Sequence, residues 1–501
     1  MLFRASSVGY VASHNLLGNL LHTVATLILS TATLALSVGS GNVATCAEKS
    51  SVPNLVIILI DDMGYGDIGP FGSKLNRTPH LDRMAAEGMK LTSFYAAPVC
   101  TPSRAQMMTG CYAKRVSLPN VLGPVSAAGI GPAERTVADL LRQRGYATMC
   151  IGKWHLGDQP EFLPTRHGFE HYLGLPYSND MGRRPAGLGG GKPDRRPPLP
   201  LLRDQLVVEA PVLQDKLVSL YTEEAIRFIT AQKERPFFLY LPHTAVHVPL
   251  HPGKEFQGKS ANGRYGDWVE EVDWSTGRVL DALRRLGLES RTLVLFTSDN
   301  GPWRSQGRNG GVAGPLRGGK ASTWEGGVRE PTIAWWPGKI TPGTVCDAAA
   351  SEMDVLPTLV QLAGGRVPAD RVIDGKDIWP LLSGQSKQSP HEALFYFKGN
   401  RLEAVRSGPW KLAIVRQIED GVDKVRDAAG PFTPALYNLD ADIGETTDVA
   451  ARHPDVVRRL QGLVKQMDGD LGVVGRGPGV RPGGVVKNPQ PLLLRSPMEY
   501  D

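Results

Sequence analysis

Two apolar runs in this sequence end on pairs of oxygen-bearing side chains. Asn54-Leu-Val-Ile-Ile-Leu-Ile60 stops at Asp61-Asp62, and Thr292-Leu-Val-Leu-Phe-Thr297 leads to Asp299-Asn300. Such runs suit parallel strands buried on both faces. Ligands of open α/β sheets bind beyond the carboxyl ends of their strands. Either pair alone is better read as a turn or a helix cap. Together, three carboxylates and an amide at one sheet edge repel unless a cation lies among them. Oxygen donors without a nearby Cys/His pairing favour Ca²⁺ or Mg²⁺ over Zn²⁺.

Further chemistry collects at two other strand ends. In Gly152-Lys153-Trp154-His155 the Lys and His are two apart, so extended backbone puts both on one face. The run Phe237–Leu241 leads through Pro242 into His243 and His247. A nucleophile candidate, Cys100, lies in Pro98-Val-Cys-Thr-Pro-Ser-Arg104, just before the helical-looking Ala105–Thr109. A Cys there sits near unpaired backbone N–H groups and the positive end of the helix dipole, a natural place for an anion. Arg104 follows one turn later. On physical grounds alone, a small buried thiol is the simpler reading of Cys100.

The elements that must position these groups alternate β and α from Val52 to about Gly384. That pattern predicts an α/β fold with a mostly parallel sheet and helices on both faces. Strands are expected at Asn54–Ile60, Ala147–Ile151, Phe237–Leu241 and Thr292–Thr297. Helices are expected at Pro79–Glu87, Thr136–Arg144, Leu217–Gln232 and Asp267–Leu286. After Pro390 the pattern changes to short antiparallel strands, at Ala393–Tyr396, Leu402–Arg406, Trp410–Val415 and Ala435–Leu439, and a helix at His453–Met467. We therefore expect a catalytic domain over residues 52–385 and a smaller α+β domain, an antiparallel sheet plus helix, over 390–470. A Gly/Pro-rich tail, 471–501, is expected to be extended or disordered.

The first 47 residues have the order of a secretory signal peptide. Arg4 precedes an apolar stretch from Thr23 to Gly39, and small residues follow in Gly41–Ala47. The stretch is short for a membrane span, so no transmembrane segment is expected in the mature chain. Export to a periplasmic, secreted or lysosome-like compartment follows. Val43-Ala-Thr-Cys46 is similar to a lipoprotein processing box apart from Thr45, which leaves lipid anchoring at Cys46 as an option.

The motifs also carry a resemblance. Cys100-Thr-Pro-Ser-Arg104-Ala, followed by Thr109-Gly110, resembles the signature of the type I sulfatases, in which the Cys is oxidised to formylglycine (3-oxoalanine). In order along the chain, Asp61-Asp-Met-Gly-Tyr-Gly-Asp67, Gly152-Lys-Trp-His-Leu-Gly157, Thr297-Ser-Asp-Asn-Gly-Pro302, Gly318-Gly-Lys320 and Trp324-Glu-Gly-Gly-Val-Arg-Glu-Pro331 are similar to further motifs of that family. Leu436-Tyr-Asn-Leu-Asp440 with Gly444-Glu445 resembles its C-terminal segment, so the likeness runs from about Asn54 to Ala450 and is strongest to arylsulfatase-like members. It implies an alkaline-phosphatase-like sheet and hydrolysis of aryl or carbohydrate sulfate monoesters. A formylglycine hydrate would attack through a covalent sulfo-enzyme intermediate and release inorganic sulfate. It further implies that Asp61, Asp62, Asp299 and Asn300 bind Ca²⁺ with the modified Cys100, and that Arg104 holds the formylglycine side chain. Lys153 and Lys320 would bind sulfate oxygens, His155 would contact the nucleophile, and His247, in His-x-Pro, would face the leaving oxygen. Ser178 resembles one more sulfate contact. A formylglycine-generating enzyme is implied as a partner during biosynthesis.

Composition narrows the alternatives. With 56 Lys+Arg against 50 Asp+Glu, and no basic run interleaved with aromatics, nucleic-acid binding has no support. Five cysteines are too few for a disulfide framework, and setting aside Cys46 and Cys100 leaves Cys111, Cys150 and Cys346, room for one bridge at most. Two rival readings remain: a phosphomonoester or phosphonate-ester hydrolase of the same superfamily, and a non-catalytic protein that binds sulfated glycans. Arg183, Arg184, Arg195 and Arg196 lie in an irregular loop, Met181–Pro200, and are read first as a solvated basic loop and second as contacts for a polyanionic glycan.

Overall fold

Asn54–Ile60 forms the central strand that its apolar run predicts, and its side chains alternate between two cores. Leu55, Ile57 and Leu59 face one, while Val56, Ile58 and Ile60 face the other. That alternation is the period of two expected of a strand covered on both sides. The computed structural model describes residues 52–183, 196–418 and 432–493. The expected export segment, Cys46, Arg184 and Arg195 lie outside those residues.

Among the described residues the large sheet has eleven strands. Its parallel centre runs in the order Thr292–Ser298, Asn54–Ile60, Phe237–Pro242, Ala147–Ile151 and His171–Gly174. Antiparallel strands extend it on both sides: Arg329–Trp335 and Met89–Tyr95 on one, Leu201–Arg203 and Leu206–Glu209 on the other. One face is covered by the helices Cys100–Thr109, Val137–Gln143 and Val355–Leu362. The other carries Pro79–Glu87, Leu217–Ala231 and Gly263–Arg285. The expected helices are all present. Thr136 acts as a cap, its hydroxyl accepting from Asp139 N while the Asp139 carboxylate accepts from Thr136 N. The helix expected from Asp267 starts earlier, at Gly263, because the Asp267 carboxylate folds the preceding loop onto itself by accepting from the N–H groups of Gly258, Lys259 and Ser260.

The C-terminal antiparallel sheet is also as expected, with strands Leu394–Lys398, Arg401–Ser407, Trp410–Ala413 and Ala435–Asn438. The helix Pro454–Asp470 packs Leu460 and Leu463 against Val405, Leu412 and Leu436. The described part of the tail is extended and anchored. Arg481 pairs with Glu134, and Gly484–Val485 forms a two-stranded ladder with Ala128–Gly129. Disorder does not apply to it, because these paired groups supply what its composition lacks. No helix among the described residues is long and apolar enough to cross a membrane. The cysteines described, Cys100, Cys111, Cys150 and Cys346, are all buried free thiols.

Candidate active site

Three central strands are laced together where they end. Asp299 N donates to Ile60 O, Asp61 N to Ala245 O, and Val246 N to Asp61 O, at 2.8–2.9 Å. Asp61, Asp62, Asp299 and Asn300 therefore meet at one sheet edge, and all four are buried. The backbone is held in unusual shapes here: Asp62, His155 and Ala321 adopt left-handed φ of 60°, 63° and 67°. Such conformations persist only where the surroundings over-determine them, and they gather at working sites. Gly152 has φ 131°, and a Cβ there would lie 1.8 Å from Pro242 O. The missing side chain lets the next residue, Lys153, donate its N–H to that same carbonyl at 2.8 Å.

Charges are paired closely in this pit. Lys153 Nζ lies 2.6 Å from Asp61 Oδ2, and Lys320 Nζ lies 2.6 and 2.7 Å from the two Asp62 oxygens. Arg104 Nε and Nη2 both donate to Asp299 Oδ2, and its Nη1 donates to Lys153 O. Burial pushes the Asp61 carboxyl up, but Lys153, with His247, Arg104 and Lys320, outweighs it and holds the group well below the usual carboxylate range. Burial and the neighbouring Asp61 raise Asp299 against the pull of Arg104.

Donor atoms of Asp61, Asp62, Cys100 and His247 lie within 4.8 Å of one another, a spacing that can hold a metal ion. Asn300 adds an orphan. Its Nδ2 donates to Asp62 Oδ1 and Gly301 O, which leaves Oδ1 buried and without a protein partner. A buried, unmatched carbonyl beside carboxylates suits a hard cation.

Cys100 is the first residue of the helix Cys100–Thr109 and is 2% exposed. Its Sγ lies 3.4 Å from Asp61 Oδ1 and 3.8 Å from Lys320 Nζ. Burial, then the Asp61 carboxylate, pushes the thiol far above its usual range. As a cysteine it is a neutral thiol and a poor nucleophile. Lys320 arrives on the turn Gly318–Trp324, with Lys320 N bonded to Pro302 O and Ala321 N to Pro98 O.

The two histidines of the Phe237–Pro242 exit separate cleanly. His247 Nε2 is 3.5 Å from Asp62 Oδ2, whereas His243 is turned inside, 3.3 Å from Ser275 Oγ and against the Tyr221 ring. His155 is buried beside the pit; its Nε2 meets Leu122 O at 2.8 Å and its Nδ1 has no protein partner. Burial lowers both site histidines, aided by Lys153 and Arg104 at His155 and by Lys320 at His247. Ser178 Oγ is buried without a partner, next to Asn179, whose amide donates to His247 O at 3.4 Å.

Sequence reasoning passed over Trp303. Its ring lies 4.7 Å from Lys320 Nζ and 5.4 Å from the His247 ring, forming a wall that joins the two. Its position just after the Asp299–Pro302 motif was the available signal. Asp67 was also without a role. It accepts from Gly64 N, Val312 N and Tyr265 Oη at 2.6–3.0 Å, bracing the turn after Asp61-Asp62. Among the loop arginines, Arg183 donates to Arg196 O and Arg196 to Asp180 O, so both tie together the described ends of the loop.

The same chain matches the Sulfatase family model over residues 53–365 and the model for the C-terminal region of aryl-sulfatase over residues 389–476. The chain belongs to the sulfatase family. This sulfatase is 40% identical to arylsulfatase A of Bos taurus over 467 residues, covering 88% of this chain and 90% of the relative. It is 42% identical to N-acetylgalactosamine-6-sulfatase of Mus musculus over 381 residues, 72% of this chain and 71% of the relative. Among solved structures, PsFucS1 sulfatase from Pseudoalteromonas sp. superposes with a TM-score of 0.76 at 27% identity, covering 84% of this chain and 91% of that one. Membership places this sulfatase among the hydrolases of sulfuric esters and accounts for its sheet, its C-terminal antiparallel domain and the order of its motifs.

Proposed function

We propose that this sulfatase hydrolyses aryl or carbohydrate sulfate monoesters, with Cys100 converted to formylglycine and Ca²⁺ in the acidic cradle. The observation that carries the reading is the meeting of Cys100 Sγ with both Asp61 Oδ1 and Lys320 Nζ at a helix start. A nucleophile there faces acids that can hold a cation and an ammonium that can hold an anion.

Charge counting supports an anionic substrate. Asp61, Asp62 and Asp299 are matched by Arg104, Lys153 and Lys320. A divalent cation therefore leaves the pit with a positive excess, and a sulfate monoester brings one negative charge. Asp61, Asp62, Asp299 and Asn300, with residue 100, would hold the ion, which supplies positive charge against nucleophile and transferring group. Hydrated formylglycine supplies two hydroxyls on one carbon, one to attack sulfur and one whose deprotonation later expels sulfate. Arg104 orients that side chain. Lys153 and Lys320 hold sulfate oxygens in a site built in advance. His247 gives a proton to the departing alcohol or phenol, His155 assists regeneration, and Ser178 adds a contact to the sulfate.

The substrate class draws on the names of the relatives, an arylsulfatase and an N-acetylgalactosamine-6-sulfatase. We read residues 1–47 as an export signal, 52–385 as the catalytic domain, 390–470 as the C-terminal subdomain and 471–501 as the tail. A formylglycine-generating enzyme acts on the chain during biosynthesis. Mass spectrometry of the peptide spanning Leu91–Arg104 tests the nucleophile: about 18 Da less than the cysteine form is expected, with allowance for the hydrate. Paired assays on a nitrophenyl sulfate and the matching phosphate test the ester class. Preference for the phosphate overturns the reading.

A further inference from the structure

Lys320 stands on a turn whose far end is gripped by the C-terminal sheet. Three residues on, Thr323 O accepts from Lys411 Nζ at 2.8 Å. That ammonium is fully buried and also lies 3.0 Å from Glu325 Oε1 and 2.7 Å from Glu445 Oε1. Glu445 Oε2 in turn accepts from Glu325 N at 2.7 Å, closing a ring of buried charge around the end of the turn. The Thr323 hydroxyl is fixed from the same side, donating to Glu403 Oε2 at 2.7 Å and accepting from Gln417 Nε2 at 2.8 Å. Between these pins and Cys100, the turn carries left-handed backbone at Gly318 and Ala321; Pro302 O and Pro98 O hold its near side, and the C-terminal pins hold its far side. Lys411, Glu403, Gln417 and Glu445 all come from the C-terminal segment.

We propose that Lys411, with Glu403 and Gln417, positions Lys320: the buried Lys411 ammonium acts through the Thr323 carbonyl and Glu325, Glu403 and Gln417 act through the Thr323 hydroxyl, and together they fix the turn and so set where the anion-binding ammonium stands beside Cys100. The inference rests on the reading of Lys320 as a sulfate ligand. It gives the C-terminal sheet a part in the reaction without any of its residues touching substrate. Removing Lys411 takes the buried ammonium from Glu445 and the Thr323 carbonyl while Glu325 keeps Arg329, so the turn is where the change is felt.

The test uses the full-length, formylglycine-bearing protein and the variants Lys411→Met, Thr323→Val, Thr323→Ser, Lys320→Ala and Lys320→Ala/Lys411→Met. Each is checked for folding by thermal melt, then measured for kcat/KM on nitrophenyl sulfate and for the inhibition constant of inorganic sulfate. Lys411→Met and Thr323→Val should lower kcat/KM by roughly 10- to 100-fold and weaken sulfate inhibition by about tenfold, while Thr323→Ser, which keeps the hydroxyl, stays within about threefold of wild type. On the Lys320→Ala background, Lys411→Met should cost less than about threefold more, because its effect runs through the missing ammonium. Costs that simply multiply in the double variant overturn the proposal, as does wild-type kcat/KM in folded Lys411→Met or Thr323→Val. Should Lys411→Met not fold, the Thr323→Val and Thr323→Ser contrast decides alone, and equal activities in that pair overturn it. A wild-type protein with full formylglycine content that neither hydrolyses nor binds sulfate overturns this proposal and the functional reading together.

Discussion

Arg104 grips Asp299 by a single oxygen: Nε and Nη2 converge on Oδ2 at 3.0 and 2.7 Å, and Oδ1 is left facing Asp62 N at 3.2 Å. One residue thus neutralises an acid at the strand end while leaving its second oxygen turned to the cradle. The pair is wholly buried, so breaking it strands a charge. Arg104→Ala should destabilise the protein by about 3 kcal/mol or more. Arg104→Lys should recover only part of that, because an ammonium cannot fork. Cys100→Ala should abolish turnover yet cost no more than about 1–2 kcal/mol, since it removes only one small buried group. Urea unfolding of the three variants checks the order. Equal stability for Arg104→Ala and wild type would remove the pair from this account.

Metal removal should act on stability and activity together. Chelation is expected to lower the midpoint of thermal unfolding and to silence hydrolysis, with Ca²⁺ restoring both and Mg²⁺ restoring them less well. Asn300→Ala, which deletes the orphaned carbonyl, should raise the Ca²⁺ concentration needed for half-maximal recovery by about tenfold. A protein whose melt and activity ignore exhaustive chelation would count against the oxygen cradle as a cation site.

His247 should matter in proportion to how badly the leaving group needs a proton. His247→Ala is expected to cost about 10²-fold or more in kcat on a carbohydrate sulfate and much less on a nitrophenyl sulfate, whose phenolate departs readily. His243→Gln, inside the fold and away from Asp62, should show no such dependence. The comparison is a plot of log kcat against leaving-group pKa. Parallel lines for wild type and His247→Ala would assign the proton elsewhere.

Glu271 offers a pH signature distant from the chemistry. Burial pushes its carboxyl up from 4.5 to about 7, with Gly253 N–H opposing and Asp215 adding. The folded state therefore keeps a proton that the unfolded chain releases. Stability linked to it is fully present below about pH 4.5 and lost as pH rises toward 7, at up to about 1.4 kcal/mol per pH unit. Glu271→Gln cannot titrate, so the variant should gain on wild type across that window. Unfolding free energies at pH 5 and pH 7 measure the gain, and an unchanged difference rejects it.

Much of the pit is legible along the chain because its parts sit where buried strands stop. Asp61-Asp62 and Asp299-Asn300 are marked by the apolar runs before them, and Lys153 and His155 by their spacing of two. Other relationships have no local trace. Which of His243 and His247 reaches the acids depends on how five residues of loop fold after Pro242, and the His-x-Pro likeness, not spacing, pointed to His247. Lys411 meets Glu325 across 86 positions, and Glu445 meets Glu325 N across 120. Such pairs arise from packing two sheets together, which periodicity within either sheet does not reveal. The tail is partly legible for the same reason: its glycines and prolines suit extended chain but say nothing of Glu134 or Ala128–Gly129, its partners far upstream.

The near-complete burial of Cys100 has a practical side. In the finished fold the thiol is hidden and protonated, so reagents and enzymes that reach only folded protein have no access to it. A batch from a host with too little oxidising capacity would contain two populations of one amino-acid sequence, one able to turn over and one not. Specific activity of such a batch reports how the chain was made as much as how well it works, and a kcat has meaning only after division by the fraction of chains converted at residue 100.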